Sequence, residues 1–250
     1  MQSYSEQNFT IHKENQLYEF IAYTTIGDRK EQQDSFGFNI KPNELLAAVC
    51  DGMGGHAGGA VASQLAVNNL LSKLSIDISY DNIQNCFLKV LRDTDQLIAS
   101  MTDKNGNVLG AGTTALIVML RENNLYWCSV GDSRIYLIRE NEMIQATCDH
   151  NYKLVLDGKL VSGEITQSEY DKNISAGDAL VSFLGVGTLP MTDINNEPFK
   201  LLKNDTIILT SDGLYRYLSE KEIKDIVCNF SDLSDTVEVL DAKVKRGSKK

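Results

Sequence analysis

Proline and tryptophan are scarce, 3 and 1 in 250 residues, and no apolar run approaches the about 18 residues that cross a bilayer. Collagen-like folds are excluded, and 42% apolar with 23% charged side chains excludes a disordered chain. The N-terminal MQSYSEQNFTIHKENQ has no basic region followed by an apolar stretch, so no export is expected. No CxxC pair occurs. Cys50, Cys86, Cys128, Cys148 and Cys228 are odd in number and far apart, which suits neither a disulfide framework nor a zinc ribbon. A reduced cytoplasmic setting is expected, and the Asn-x-Ser/Thr triplets at Asn8, Asn173, Asn204 and Asn229 read as chance matches. Basic residues are in deficit, 24 against 34 acids, for a formal charge of −10. That balance disfavours nucleic acid and anionic membranes as partners. An anionic substrate would need metal ions or a well-placed arginine. Internal repeats, low-complexity tracts, linkers and heptads are all missing, so one domain over residues 1–250 and a monomer are expected.

What is present is a set of short periodic segments. Val67, Leu70, Leu71 and Leu74 fall on one helical face, and Ile83, Phe87, Val90, Leu91, Leu97, Ile98 and Met101 continue that spacing in a second helix. Asp81 with Gln84, and Ser219 with Glu222, have the spacing of reciprocal helix caps. A last helix carries Val237, Leu240 and Val244 and ends in Lys245-Arg246-Gly247. Between the helices, 20–26, 45–50, 113–120, 125–130, 134–139, 179–184 and 206–210 read as strands, and Arg121-Glu122-Asn123-Asn124 as a hairpin turn. The first ~20 residues are polar, a frayed or short lead-in strand. Paired rather than alternating helices predict an α+β fold, a β-sandwich of antiparallel sheets flanked by paired helices.

Chemistry is suggested where apolar strands stop at acids. LLAAVC ends in Asp51-Gly52 and TIILTS in Asp212-Gly213; Asp132 follows another apolar run and Asp34 closes TTIGDRKEQQD. One Asp-Gly is ordinarily a turn. Several carboxylates at one sheet rim repel each other and call for hard cations, Mg²⁺ or Mn²⁺. Zinc does not suit an all-oxygen set, and His12, His56 and His150 lack HExxH-type spacing. Two such ions can activate a water for in-line attack on phosphorus, with Arg29 as a planar clamp for phosphate oxygens. The run Gly52-Met53-Gly54-Gly55-His56-Ala57-Gly58-Gly59 also matches a dinucleotide fingerprint. Against that, Asp51 would face the pyrophosphate, no ribose-binding acid is evident and the second Asp-Gly goes unexplained. His56 reads either as a general acid for the departing alkoxide or as a loop-capping residue, and His150 as a supporting residue rather than a ligand.

Taken together, GDRKEQQDS, VCDGMGGHAGGAVAS, GAGTTALIVML, SVGDSRIYLIR, TCDHN, LVSGEIT, SFLG and DTIILTSDGLYRYLS resemble, in order, the metal-dependent Ser/Thr protein phosphatases of the 2C (PPM) family, bacterial branch. The resemblance runs from about residue 25 to 247. It implies a central sandwich of two antiparallel sheets with a binuclear Mn²⁺/Mg²⁺ centre at one end. By motif position Asp51 resembles the acid bridging both metals, Gly52 the carbonyl ligand, Asp212 a ligand opposite and Asp34 an outer acid reaching metal through water. Arg29 resembles the phosphate-binding arginine, and Asp132 the acid of a weaker third metal. The polar stretch Asp157–Ser175 corresponds to a mobile flap. Phosphoserine and phosphothreonine proteins, opposed to a Ser/Thr kinase, are the implied substrates.

Departures are equally specific. Met53 stands where eukaryotic relatives have histidine, and Ala60 where bacterial members often have glutamate. LDAKVKRGSKK reads like the approach to a final Asp-Asn motif and closing strand that this sequence does not contain, and Asp241 is expected to face solvent instead of replacing that ligand. The expectation is a shortened phosphatase with weakened metal binding, or alternatively a catalytically impaired phosphatase-like module that binds phosphoproteins or regulatory partners.

Overall fold

The structure, a computed structural model, describes residues 2–4, 8–14, 18–54, 58–75 and 82–248. In chain order the elements are β1 (Gln2–Tyr4), β2 (Asn8–Glu14), β3 (Glu19–Thr25), β4 (Asp34–Lys41), β5 (Glu44–Met53), α1 (Gly58–Leu74), α2 (Ile83–Ala99), β6 (Gly112–Thr113), β7 (Ala115–Arg121) and β8 (Asn124–Val130). There follow β9 (Arg134–Arg139), β10 (Glu142–Gln145), α3 (Tyr152–Val161), α4 (Gln167–Asn173), β11 (Asp193–Ile194), β12 (Phe199–Lys200), β13 (Thr206–Thr210), α5 (Asp212–Tyr215), α6 (Glu220–Asn229) and α7 (Leu233–Gly247). The larger sheet runs β1-β4-β5-β7-β8-β11, with β6 on β5 and β12 on β8; a second runs β10-β9-β13, and β2 pairs with β3. All of these pairings are antiparallel.

Strand alternation sorts side chains into layers. On β5, Leu46, Ala48 and Cys50 face α1 and α2, while Ala47 and Val49 face the second sheet. Strand β7 is apolar on both faces for the same reason: Ala115, Ile117 and Met119 go one way, Leu116 and Val118 the other. Small residues Ala62 and Ala66 on α1 let Val67, Leu70, Leu71 and Leu74 settle onto the sheet, and Phe87 and Leu91 of α2 close that layer. Beyond the second sheet, Leu218, Ile223 and Ile226 meet Met143, Ile208 and Val244. The order helices, sheet, sheet, helices is the expected sandwich.

Local expectations fare unevenly. The Ser219–Glu222 capping box forms, and α7 ends at Gly247 as expected. Glu122 takes φ 53° in the hairpin turn, where Arg121 pairs with Asn124. Asp81 lies outside the described residues, and Gln84 does not cap: its amide donates to the carbonyls of Asn195 and Asn196 at 3.1 and 2.6 Å. Residues 179–184 are not a strand. Leu180 bridges Asn151 and Leu184 bridges Thr113, two different segments, so no ladder propagates. Strand β4, unread in the sequence, is buried on both faces from Ser35 to Phe38. The stretch 157–175, read as aperiodic, is mostly helical: Asn151 caps α3, Thr166 and Glu169 form a capping box on α4, and the Tyr170 hydroxyl donates to Asp157 at 2.7 Å. Asp241 does not simply face solvent either. Its side chain is 15% exposed, and Lys245 donates to it at 2.6 Å.

Phe87 is fully buried at the centre of the helical layer. Phe87→Ala is expected to cost about 3–5 kcal/mol in urea denaturation; a loss under about 1 kcal/mol would contradict this packing.

Candidate active site at the acidic rim

Antiparallel topology gathers the acids. Asp34 begins β4 and Asp51 lies near the end of β5, and the two are direct register partners. Strand β8 stops at Val130, β9 starts at Arg134, and Thr210 at the end of β13 pairs with Arg134. Asp132 in the β8–β9 turn and Asp212 just after β13 therefore come to the same rim as Asp34 and Asp51. The first Asp-Gly is not a turn: Gly52 continues β5, opposite Thr113. A side chain at Gly52 would collide with the backbone of Gly59 in α1, so helix and strand approach that closely only with glycine here.

Asp51 is clamped through its backbone. Its N–H donates to the Thr114 hydroxyl at 2.9 Å, and its carbonyl accepts from the Thr114 N–H and the Thr113 hydroxyl, both at 2.9 Å. Ser133 lies 2.8 Å from the Thr114 hydroxyl, and all three side chains are buried. On the opposite side, the Ser211 hydroxyl donates to Asp34 Oδ2 at 3.0 Å instead of capping α5. Asp132 is held by its own carbonyl, which accepts from the Tyr215 hydroxyl at 2.9 Å. The Tyr215 ring lies 3.6 Å under the Arg134 guanidinium, which makes a two-pronged pair with Asp149 at 3.0 and 2.6 Å. Gly131, at φ 102°, turns the chain into Asp132 and donates to His150 Nδ1 at 3.1 Å. Burial pushes the His150 imidazolium pKa down, favouring the neutral ring.

The electrostatics are unbalanced. Burial, then the charges of Asp34, Asp212 and Asp132, push the Asp51 carboxyl up to about 9. Burial likewise raises Asp34 and Asp132, and the charge of Asp212 adds to the rise in each. Arg29 sits in an exposed turn, its N–H donating to Ile26 at 3.2 Å, and its charge offsets part of the rise at Asp34. Arg216 Nε lies 2.9 Å from Asp212 Oδ2. His56 lies outside the described residues. As the side chains stand, no three acids, histidines or cysteines among the described residues form a ready ion cage. Asp212 is turned to Arg216 and Asp34 to Ser211 and Asp51. The donor set nevertheless fits hard cations: buried and half-buried carboxylates on one rim, all oxygen, with less positive charge than they need. Sequence reading missed Thr113, Thr114, Ser211, Tyr215 and Arg216, although the Thr-Thr pair and SDGLYR lay within the motifs it used.

Comparison with known proteins agrees with this geometry. The family model described as Protein phosphatase 2C matches residues 23–246, and the chain belongs to that family. The serine/threonine phosphatase stp of Listeria welshimeri is 31% identical over 221 residues, 86% of this chain and 84% of that protein. The S. agalactiae serine/threonine phosphatase structure has TM-score 0.75 at 22% identity, covering 96% of this chain and 93% of that one, a likeness of fold. The catalytic domain of the phosphatase PstP, in complex with 2 manganese ions, has TM-score 0.66 at 25% identity, covering 88% of this chain and 87% of that one.

A pH dependence follows for metal-free protein. The Asp51 pKa, about 9 folded, exceeds its unfolded value of about 3.9, so the folded state binds more protons in between. Stability from this group is greatest below the unfolded value and falls as pH rises from about 4 toward 9. Chelator-treated protein should melt lower at pH 8.5 than at pH 5.5, and Asp51→Asn should narrow that gap and melt above the parent at pH 8.5. A gap left unchanged by the substitution would count against an uncompensated Asp51.

Proposed function

We propose that the acidic rim is the active site of a metal-dependent protein phosphatase that hydrolyses phosphoserine and phosphothreonine in proteins. Asp51, Asp34, Asp212 and the Gly52 carbonyl would hold two Mn²⁺ or Mg²⁺ ions, and Asp132 a weaker third. Such a pair, when bound, supplies a water of lowered pKa and neutralises charge developing on the phosphoryl oxygens. The chain's own residues do the rest. Thr113 and Thr114 fix the Asp51 backbone, so its carboxylate is presented without a search. Arg29, free in an exposed turn beside the rim, offers a planar fork to two phosphate oxygens and orients the ester for in-line displacement. Tyr215 fixes the turn that carries Asp132.

The observation that carries this reading is the register pairing of Asp34 with Asp51, with Asp212 delivered to the same rim by the second sheet. Phosphoprotein substrates suit a chain of charge −10 only if cations and Arg29 receive the phosphate. A kinase that phosphorylates serine and threonine is the matching opposing activity. Among the described residues no helix is long and apolar enough to cross a membrane.

Hydrolysis of a phosphothreonine peptide and of p-nitrophenyl phosphate tests this. With Mn²⁺ the parent should turn over both, and chelator should stop it. Asp51→Asn and Asp212→Asn should each lower kcat by at least about 10²-fold, a loss of the order seen for removal of one major charge-stabilising group. Arg29→Ala should lower kcat/KM by about 10-fold to 100-fold, largely through KM. Unchanged rates in both aspartate variants would remove the assignment.

A further inference from the structure

Among the described residues, Arg216 is the one cation in ion-pair contact with any of the four rim carboxylates. It stands four residues beyond Asp212, at the C-terminal cap of α5, the favourable acid-to-base order at this spacing. Their backbones are fixed: the Arg216 N–H donates to the Asp212 carbonyl at 3.1 Å, and Tyr215 between them is tied to Asp132. Only side chains remain free to change partner. The Arg216 side chain is 47% exposed, which leaves it room to swing, whereas Asp212 at 22% is more enclosed. Asp132 and Asp178 add negative charge around the guanidinium, so an arm released from Asp212 stays near the rim. The pair also accounts for the geometry of the acids, since Asp212 engaged by Arg216 does not complete a cage with Asp51 and Asp34.

We propose that Arg216 is a built-in counter-ion of the metal centre: its guanidinium occupies Asp212 in the metal-free protein, and a divalent cation must displace it to bind. This inference rests on the assignment of Asp212 as a metal ligand made above. Its consequence is a higher cation concentration for filling the site, together with less repulsion among the acids while the site is empty. The magnitude is bounded, because a half-exposed pair is a weak one. Arg216 therefore tunes occupancy several-fold and does not block it.

Calorimetric titration of the metal-free full chain with Mn²⁺ decides the matter, using the parent, Arg216→Gln, Arg216→Lys and Asp51→Asn, with melting curves before and after metal. Arg216→Gln is expected to bind Mn²⁺ about threefold to tenfold more tightly. It should melt lower than the parent without metal and gain more on metal addition. Arg216→Lys keeps the charge but loses the planar fork; it should fall between the two, and gives the same comparison if the glutamine variant folds poorly. If the parent binds Mn²⁺ through Asp51 but both Arg216 variants bind no more tightly, the counter-ion role is overturned and the metal centre stands. If the parent shows no saturable, Asp51-dependent binding, the metal-centre reading fails first and takes this inference with it.

Discussion

Mutual repulsion among buried carboxylates is the constraint around which the rim is built. Burial, and then the charges of Asp34, Asp212 and Asp132, push the Asp51 carboxyl well above the usual carboxylate range, so a cation at the rim would stabilise its charged form. An ordinary structural site would relieve this by moving one acid into solvent. Here the register of β4 on β5 and of β9 on β13 forbids it, because each acid is fixed within a residue or two of a paired strand. Folding energy from the apolar layers thus holds charges where they are electrostatically unfavourable, an arrangement suited to binding cations.

The surroundings do little to neutralise that charge and much to orient it. Thr113 and Thr114 grip Asp51 by its backbone, with Ser133 bonded to the Thr114 hydroxyl, and leave its carboxylate unused by them. Gly52 gives up a side chain so that α1 can start against β5, and the larger sheet and its helices therefore meet next to Asp51. On the other flank, Asp149, Arg134 and Tyr215 form a stacked chain that ends on the carbonyl of Asp132. Arg134 is fully spoken for by Asp149 and Tyr136, so it is a strut and not a phosphate ligand. Arg29 and Arg216 are two exposed cations of the region, and they differ in setting: Arg29 sits in an exposed turn, whereas Arg216 is engaged with a rim acid.

Much of this was legible in the residues. Apolar strands that run into an acid, at Asp51 near the end of β5 and at Asp212 just after β13, are an apolar signal followed by an abrupt charge, and antiparallel pairing turns such strand ends into neighbours. Helix faces at 67–74 and 83–98 were readable because their burial is one-sided. What escaped depends on long-range partners. Strand β4 carries alternating Phe36 and Phe38, but its Asp34 looked like the end of a loop until β5 supplied its register. The segment 179–184 is as apolar as a strand, yet it meets two different segments at single residues. The helices at 152–161 and 167–173 are fixed by polar caps and by one Tyr170–Asp157 bond, with little apolar periodicity to announce them. The hydroxyl of Ser211 carries no signal of its own in the sequence, and only the fold aims it at Asp34.

The most direct test of the account is a crystal grown with Mn²⁺ and examined by anomalous diffraction at the manganese edge. The account predicts two strong peaks about 3.5–4 Å apart, bridged by the Asp51 carboxylate, with Asp212 turned toward one of them. Full phosphatase activity from crystals of the same preparation with no anomalous peak at this rim would contradict it.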